Sequence, residues 1–270
     1  MLDLSTIRTV LFDMDGVIYR GSLRLPGVRE LVSFCEAHQI ATACITNNAS
    51  KTPEQFEKKL QKMEIAIPKE HVLSSAQVTG HYLRNHYPKN TTAYVIGMKG
   101  LQQAMFRDGH FVEQEDHPEL VVMGVDLEIT YDKLKIGCLA IGAGAKFIAT
   151  NLDPAFPAED GFWPGAGALI AALQVATGVE PFVIGKPQPT LFETAIEMLN
   201  ATPATTLVVG DRLETDIIGA QRAGAKSAVV LTGATSRELL AESDIQPDAV
   251  YDGLPELLSA WKEQIAHVAS

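Results

Sequence analysis

One stretch constrains this chain more than any other: Val10-Leu11-Phe12-Asp13-Met14-Asp15-Gly16-Val17-Ile18-Tyr19. Thr9 to Phe12 is a short apolar run rich in β-forming residues. Stopped by polar residues and glycine, it reads as a buried strand of a parallel sheet. Two carboxylates, Asp13 and Asp15, leave its carboxyl end, where open α/β sheets bind ligands. Gly16 turns the chain behind them, so the two acids can take separate roles. Like charges this close repel unless a cation or a shared proton lies between them.

Three further short apolar runs end the same way. Ile40 to Ile45 runs into Thr46-Asn47-Asn48-Ala49-Ser50. Thr52-Pro53-Glu54-Gln55 then has the signature of a helix start, with Thr52 as cap and Pro53 at the first position. The polar loop between them offers hydroxyls, amides and N–H groups to an anion. Pro181 to Ile184 is followed by Gly185-Lys186-Pro187, and Thr206 to Val209 by Gly210-Asp211 through Asp216. All carboxyl ends of a parallel sheet share one edge, so Asp13, Asp15, Thr46, Lys186, Asp211 and Asp216 can meet in one crevice. Carboxylates with few other ligands suit Mg²⁺, which takes substrate phosphate oxygens as well.

Between the second and third of these runs lies another alternating α/β pattern, roughly 80–180, large enough to be an inserted domain. It contains the Pro- and Gly-rich stretch from Asn151 to Gly167, which reads as a long loop. The expected organisation is therefore a doubly wound, Rossmann-like parallel core, 1–79 and 181–270, with a smaller α/β cap at 80–180. Net charge is −11, which disfavours a nucleic-acid or anionic-membrane partner. Cys35, Cys44 and Cys138 sit in apolar settings and read as reduced thiols of a cytoplasmic protein. The N-terminus shows no signal-peptide pattern and no run reaches membrane-span length.

At four places, in order, the sequence resembles the haloacid dehalogenase-like phosphohydrolases: Asp13-Met14-Asp15-Gly16, Ile45-Thr46-Asn47, Gly185-Lys186-Pro187, and Gly210-Asp211 through Thr215-Asp216. With the insertion between the second and third motifs, the closest resemblance is to the NagD-like, p-nitrophenyl phosphatase branch. Val17 departs from the Thr of many relatives, at a position that is neither ligand nor nucleophile. The resemblance implies a Mg²⁺-dependent phosphatase of small phosphate monoesters, acting through an aspartyl-phosphate. Asp13 would be the nucleophile, Asp15 the acid and base, and Lys186 the balancing cation. Asp13, Asp15 (through its carbonyl), Asp211 and Asp216 would hold the metal or its water shell, with Asp216 alternatively orienting Lys186.

The implied partner is a small phosphorylated metabolite: a sugar phosphate, nucleotide, phosphoglycolate or pyridoxal phosphate. Thr46, Asn47, Asn48 and Lys186 would bind its phosphoryl group. Asn151 and Asp153, on the long loop, are expected to choose the leaving group. The reading admits a homodimer formed through the cap. A non-catalytic phosphate-binding regulator and a phosphomutase are the alternatives. An acid two residues after the nucleophile and a domain-sized insert argue against the regulator.

Overall fold

The computed structural model describes residues 2–158 and 160–268. In chain order the elements begin with β1 (Thr9–Asp13), the hairpin β2 (Tyr19–Arg20) and β3 (Leu23–Arg24), α1 (Val28–Ala37), β4 (Ala41–Thr46), α2 (Pro53–Lys62) and β5 (Val72–Ser74). Next come α3 (Ser75–His86), β6 (Thr92–Ile96), α4 (Lys99–Phe106), β7 (Val112–Glu113), β8 (Leu120–Met123), α5 (Tyr131–Gly142) and β9 (Lys146–Ala149). The hairpin β10 (Ala155–Ala158) and β11 (Gly161–Pro164), α6 (Ala166–Thr177) and β12 (Phe182–Val183) follow. The chain closes with α7 (Pro189–Met198), β13 (Thr206–Gly210), α8 (Ile218–Arg222), β14 (Lys226–Val230), α9 (Arg237–Glu242), β15 (Ala249–Tyr251) and α10 (Leu254–Val268). Among the described residues no helix is long and apolar enough to cross a membrane.

The chain forms two compact units, 1–46 with 54–73 and 186–270, and 47–53 with 74–185. The first is built on a six-stranded sheet of order β15-β14-β13-β1-β4-β5. Its paired strands β15-β14-β13-β1-β4 are all parallel. Counted within the unit this is 3-2-1-4-5-6, the doubly wound dinucleotide-fold order, whose switch point falls between β1 and β13. Every residue of β1 and of β13 is buried, as two-sided coverage by helices requires. Phe12, Leu31, Phe56, Leu60 and Trp261 are among the fully buried side chains of this unit. Each contributes roughly 1.5–3 kcal/mol by leaving water.

The second unit has its own five-stranded parallel sheet, order β12-β9-β8-β6-β7, or 2-1-3-4-5 counted within the unit. This is the flavodoxin-like winding, with its switch point between β6 and β8. Tyr94, Ile96, Val121, Met123, Phe147, Ile170 and Leu173 belong to its core.

Three expectations are corrected. The unit boundaries fall at 73/74 and 185/186, not at 79/80 and 180/181, and the linker 47–53 joins the second unit. A cut at 79 would divide α3, which is one continuous helix. The strand expected near 181–184 is β12, and it pairs with β9 in the second sheet, not with the core. The long loop contains an antiparallel hairpin, with Phe156 opposite Trp163 and Ala155 opposite Pro164. A two-stranded ribbon leaves one edge of each strand unpaired, which lets it carry proline.

Candidate active site

Asp13 is the last residue of β1 and Asp211 follows β13, so the switch point of the core sheet carries one carboxylate on each side. Asp216 stands on a π-helical turn, Leu213–Ile217, that continues the loop into α8. Such wide turns recur at functional sites. Asp13, Asp211 and Asp216 each present an oxygen to one locus, these atoms lying within 4.8 Å of one another. All three are buried, and so is Lys186, which is only 5% exposed.

The Lys186 ammonium ties two of them together. It donates to Asp13 Oδ1 and, at 2.7 Å, to Asp216 Oδ1. The other Asp216 oxygen accepts from the backbone N–H of Asp211 (3.3 Å) and of Arg212 (3.1 Å). With both oxygens engaged, Asp216 is placed to hold Lys186 and the Asp211 loop. Direct metal ligation would compete with these bonds. Asp211 Oδ2 accepts from the Ala234 N–H at 2.7 Å, and its carbonyl accepts from the Thr235 N–H at 3.0 Å.

The loop after β14 completes this cradle. A Cβ at Gly233 or at Gly16 would overlap the Asp211 carboxylate, and Gly16 also has a φ of +89°. Thr232 Oγ1 donates to the Gly16 carbonyl at 2.6 Å, fixing the turn behind Asp15. Sequence reasoning missed these loop residues. The available signal was a run of small residues, Thr232-Gly233-Ala234, just past a strand end.

The electrostatics of the locus suit a cation. Burial, with Asp216 and Asp211 nearby, raises the Asp13 carboxyl to about 8 against the opposing pull of Lys186. Burial and Asp216 raise Asp211 to about 6, while the Ala234 N–H, Arg212 and Lys186 hold it down. For Lys186, burial alone would lower the pKa, but Asp13 and Asp216 outweigh it and push it up. Three carboxylates and one ammonium sum to −3 + 1 = −2. A divalent ion balances that charge and lets the buried carboxylates stay ionised. The donor set, oxygen only, suits Mg²⁺.

Asp15, two residues after Asp13, is exposed. Tyr19 hydrogen-bonds it, and burial followed by the charges of Asp15 and Asp13 pushes the Tyr19 phenol well above its ordinary range. The Lys59 ammonium sits 3.4 Å from the centre of the Tyr19 ring. Tyr19 is a second neighbour of the site that sequence reasoning passed over.

Thr46 ends β4, beside β1, and is buried. Asn47 and Asn48, expected in the same loop, belong with the second unit. Asn48 Oδ1 accepts from the Ser50 N–H (3.0 Å) and hydroxyl (2.6 Å). Asn47 Nδ2 donates to both oxygens of Asp153 at 3.2 Å, and the Asn47 carbonyl accepts from Asn151 Nδ2 at 2.8 Å. Asn151 is buried, as are Asp13, Thr46 and Lys186.

Family models of the haloacid dehalogenase-like hydrolases and of the HAD-hydrolase-like group match residues 10–110 and 183–257. The 5'-nucleotidase YutF of Bacillus subtilis is 37% identical over 94% of this chain and 98% of its own. The acid sugar phosphatase of Staphylococcus haemolyticus is 36% identical over 92% and 94%. The chain belongs to the haloacid dehalogenase-like hydrolases. Solved structures agree. The 4-nitrophenylphosphatase of Thermotoga maritima superposes with a TM-score of 0.89 at 32% identity, covering 95% of this chain and 98% of that one. NagD of E. coli gives 0.87 at 29% identity, covering 93% and 98%. Within the family the protein is a phosphatase, of the NagD-like and p-nitrophenyl phosphatase branch.

Proposed function

We propose that the protein hydrolyses small phosphate monoesters in a Mg²⁺-dependent reaction through an aspartyl-phosphate on Asp13. The observation that carries this reading is the buried Asp13, Asp211, Asp216 and Lys186 cluster at the switch point, which when fully ionised is two positive charges short of balance. Asp13, the Asp15 carbonyl and Asp211 would hold Mg²⁺, which when bound supplies positive charge to the phosphoryl oxygens and offsets their repulsion from Asp13.

The chain's own residues then divide the work. Asp13 attacks phosphorus, and the bond from phosphorus to the ester oxygen breaks. Asp15 gives its proton to that oxygen, releasing the alcohol. Asp15 next takes a proton from water, whose oxygen attacks the aspartyl-phosphate and frees inorganic phosphate and Asp13. Lys186 balances charge on Asp13 and on the phosphoryl group in both steps. The Thr46 hydroxyl would bind the remaining phosphoryl oxygen. Asp216 keeps Lys186 in place.

The substrate class is a small phosphorylated metabolite of the sugar phosphate, nucleotide, phosphoglycolate or pyridoxal phosphate type. Relatives named acid sugar phosphatase and 5'-nucleotidase are about equally similar to this chain, so several leaving groups are compatible with one phosphoryl site. Free thiols at Cys35, Cys44 and Cys138 suit a reducing, cytoplasmic setting. The test is phosphate release from p-nitrophenyl phosphate and a panel of metabolite esters, with chelator and with restored Mg²⁺. Release that stops with chelator and returns with Mg²⁺ is expected. Full activity in chelator, or no release from any ester with metal present, overturns the reading.

A further inference from the structure

The carboxyl edge of the second sheet holds a piece of the chain itself. The linker 47–53, which leaves β4 one peptide bond after Thr46, is fastened there at two places. Next to the end of β9, the Asn47 carbonyl accepts from Asn151 Nδ2 (2.8 Å) and from the Ser75 hydroxyl (2.7 Å). Its side-chain amide donates to both Asp153 oxygens at 3.2 Å. Asn151 Oδ1 in turn accepts from the Asp153 N–H at 3.1 Å, and Asn151 Nδ2 also reaches Thr150 Oγ1 at 3.3 Å. At the start of α4, the Gly100 N–H donates to the Ser50 carbonyl at 3.1 Å. A Cβ on Gly100 would overlap the Ala49 and Lys51 carbonyls, and one on Gly185 would crowd Asn47 Oδ1 and Asn151. The linker is thus closely approached at Gly100 and at Gly185, while Asn48 is exposed.

From this geometry we infer that Asp153 and Asn151 are positioning residues that act through Asn47 to set the loop following Thr46. This replaces the expectation that they contact the leaving group. Asn151 is only 4% exposed, and its oxygen and amide nitrogen are engaged within the clamp. An amide has four hydrogen-bonding positions at most, so little remains for a ligand. The charged Asp153 makes the bond to Asn47 stronger than an amide pair would be. The consequence for catalysis rests on the phosphoryl role proposed for Thr46. A displacement of about 1 Å at a group that positions a reacting atom costs on the order of 100-fold in rate. A clamp one peptide bond away therefore acts on every substrate alike.

The experiment compares wild type, Asp153→Ala, Asn47→Ala and the double variant on p-nitrophenyl phosphate, a sugar phosphate and a nucleoside monophosphate. Expected is a fall of about tenfold in kcat/KM for Asp153→Ala, common to all three esters, with weaker inhibition by inorganic phosphate. In the Asn47→Ala background the second substitution should add nothing, since its partner is already gone. Asp153→Asn, which keeps an acceptor oxygen, should recover part of the loss. Hydrogen exchange at the 48–50 amides should quicken in Asp153→Ala; this decides the clamp even where no ester is turned over, separating its failure from that of the proposed activity. A changed ranking of esters, additive effects in the double variant, or unchanged exchange at the linker would each overturn the inference.

Discussion

At the switch point of the six-stranded sheet, β1 and β13 run out into Asp13 and Asp211; at that of the five-stranded sheet, β6 and β8 run out into Gly97 and Gly124. Both sheets are parallel and wound in both directions, so both make a crevice at the same topological place. In the first, the backbone turns at Gly16 and Gly233 bring the chain against a carboxylate. In the second, Gly124 N–H closes onto the Ile96 carbonyl, Met98 N–H bonds the Val125 carbonyl, and the adjoining helix start receives the Ser50 carbonyl. One crevice gathers charge and the other is filled by backbone. The winding supplies a place; only the residues at the strand ends make it a site.

Removing the charge on the active side should have the largest effect. Asp13→Asn should lower kcat on p-nitrophenyl phosphate by on the order of 10⁴-fold or more, because an amide cannot serve as the nucleophile. Rapid-quench labelling of wild type should place phosphate on Asp13, and label on another residue would refute the mechanism. Next comes Lys186→Met. It leaves Asp13 and Asp216 buried without their ammonium, so a loss of on the order of 10²–10³ in kcat is expected. Urea unfolding should show a stability cost of about 3–5 kcal/mol, the usual result of breaking a buried pair from one side.

A smaller effect sharpens the contrast through pH. Burial raises the carboxyl of Asp13 to about 8 and that of Asp211 to about 6 in the folded protein, from 3.8 for the free group. Between these limits the folded state holds more protons at these two groups, so their contribution to stability is fully present below about pH 4 and is lost as pH rises to about 8. Mg²⁺ should reverse the decline, because it binds the ionised carboxylates of the native state. Tm measured at pH 5 and pH 8, with chelator and with Mg²⁺, checks this. The increment from Mg²⁺ should be larger at pH 8. An equal increment at both pH values would mean that the ion does not bind at these carboxylates.

The sequence made the chemistry of the first crevice legible because each component is local. A short apolar run followed by acid and glycine, or by Gly-Lys-Pro, marks a buried strand end and its side chain together. Sheet membership is not local. Phe182–Val183 looks the same whether it pairs with β9 or with the core, and only the folded register decides. The hairpin β10–β11 was hidden because Pro154, Pro157 and Pro164 read as breakers, although a two-stranded ribbon tolerates them. The roles of Asn151 and Asp153 were obscured for a different reason. Their partner Asn47 lies 104 and 106 positions away, so nothing near them in sequence shows that their polar groups are engaged.

The smallest expected effect is the most direct test of the comparison, because it makes one substitution at each crevice. Gly16→Ala puts a Cβ on a residue at φ +89° and into the Asp211 carboxylate, which the Ala234 N–H holds in place. Neither the backbone nor that carboxylate can yield without disturbing the site, so kcat/KM should fall at least tenfold, on the order of what a displacement of under about 1 Å costs. Gly124→Ala meets softer neighbours. Its Cβ would lie 2.8 Å from Thr150 Oγ1 and 3.3 Å from Leu101 Cδ2, both side-chain atoms. Rotation of Thr150 relieves the first contact at the expense of its 3.3 Å bond from Asn151 Nδ2, the longest in the linker clamp. The expected result is a stability loss of about 1 kcal/mol, at the low end for overpacking, with kcat/KM within about twofold of wild type. Steady-state kinetics and urea unfolding on the two variants measure both quantities. If Gly124→Ala lost activity as steeply as Gly16→Ala, the crevice of the second sheet would take part in the chemistry, and the contrast between the two switch points would fail.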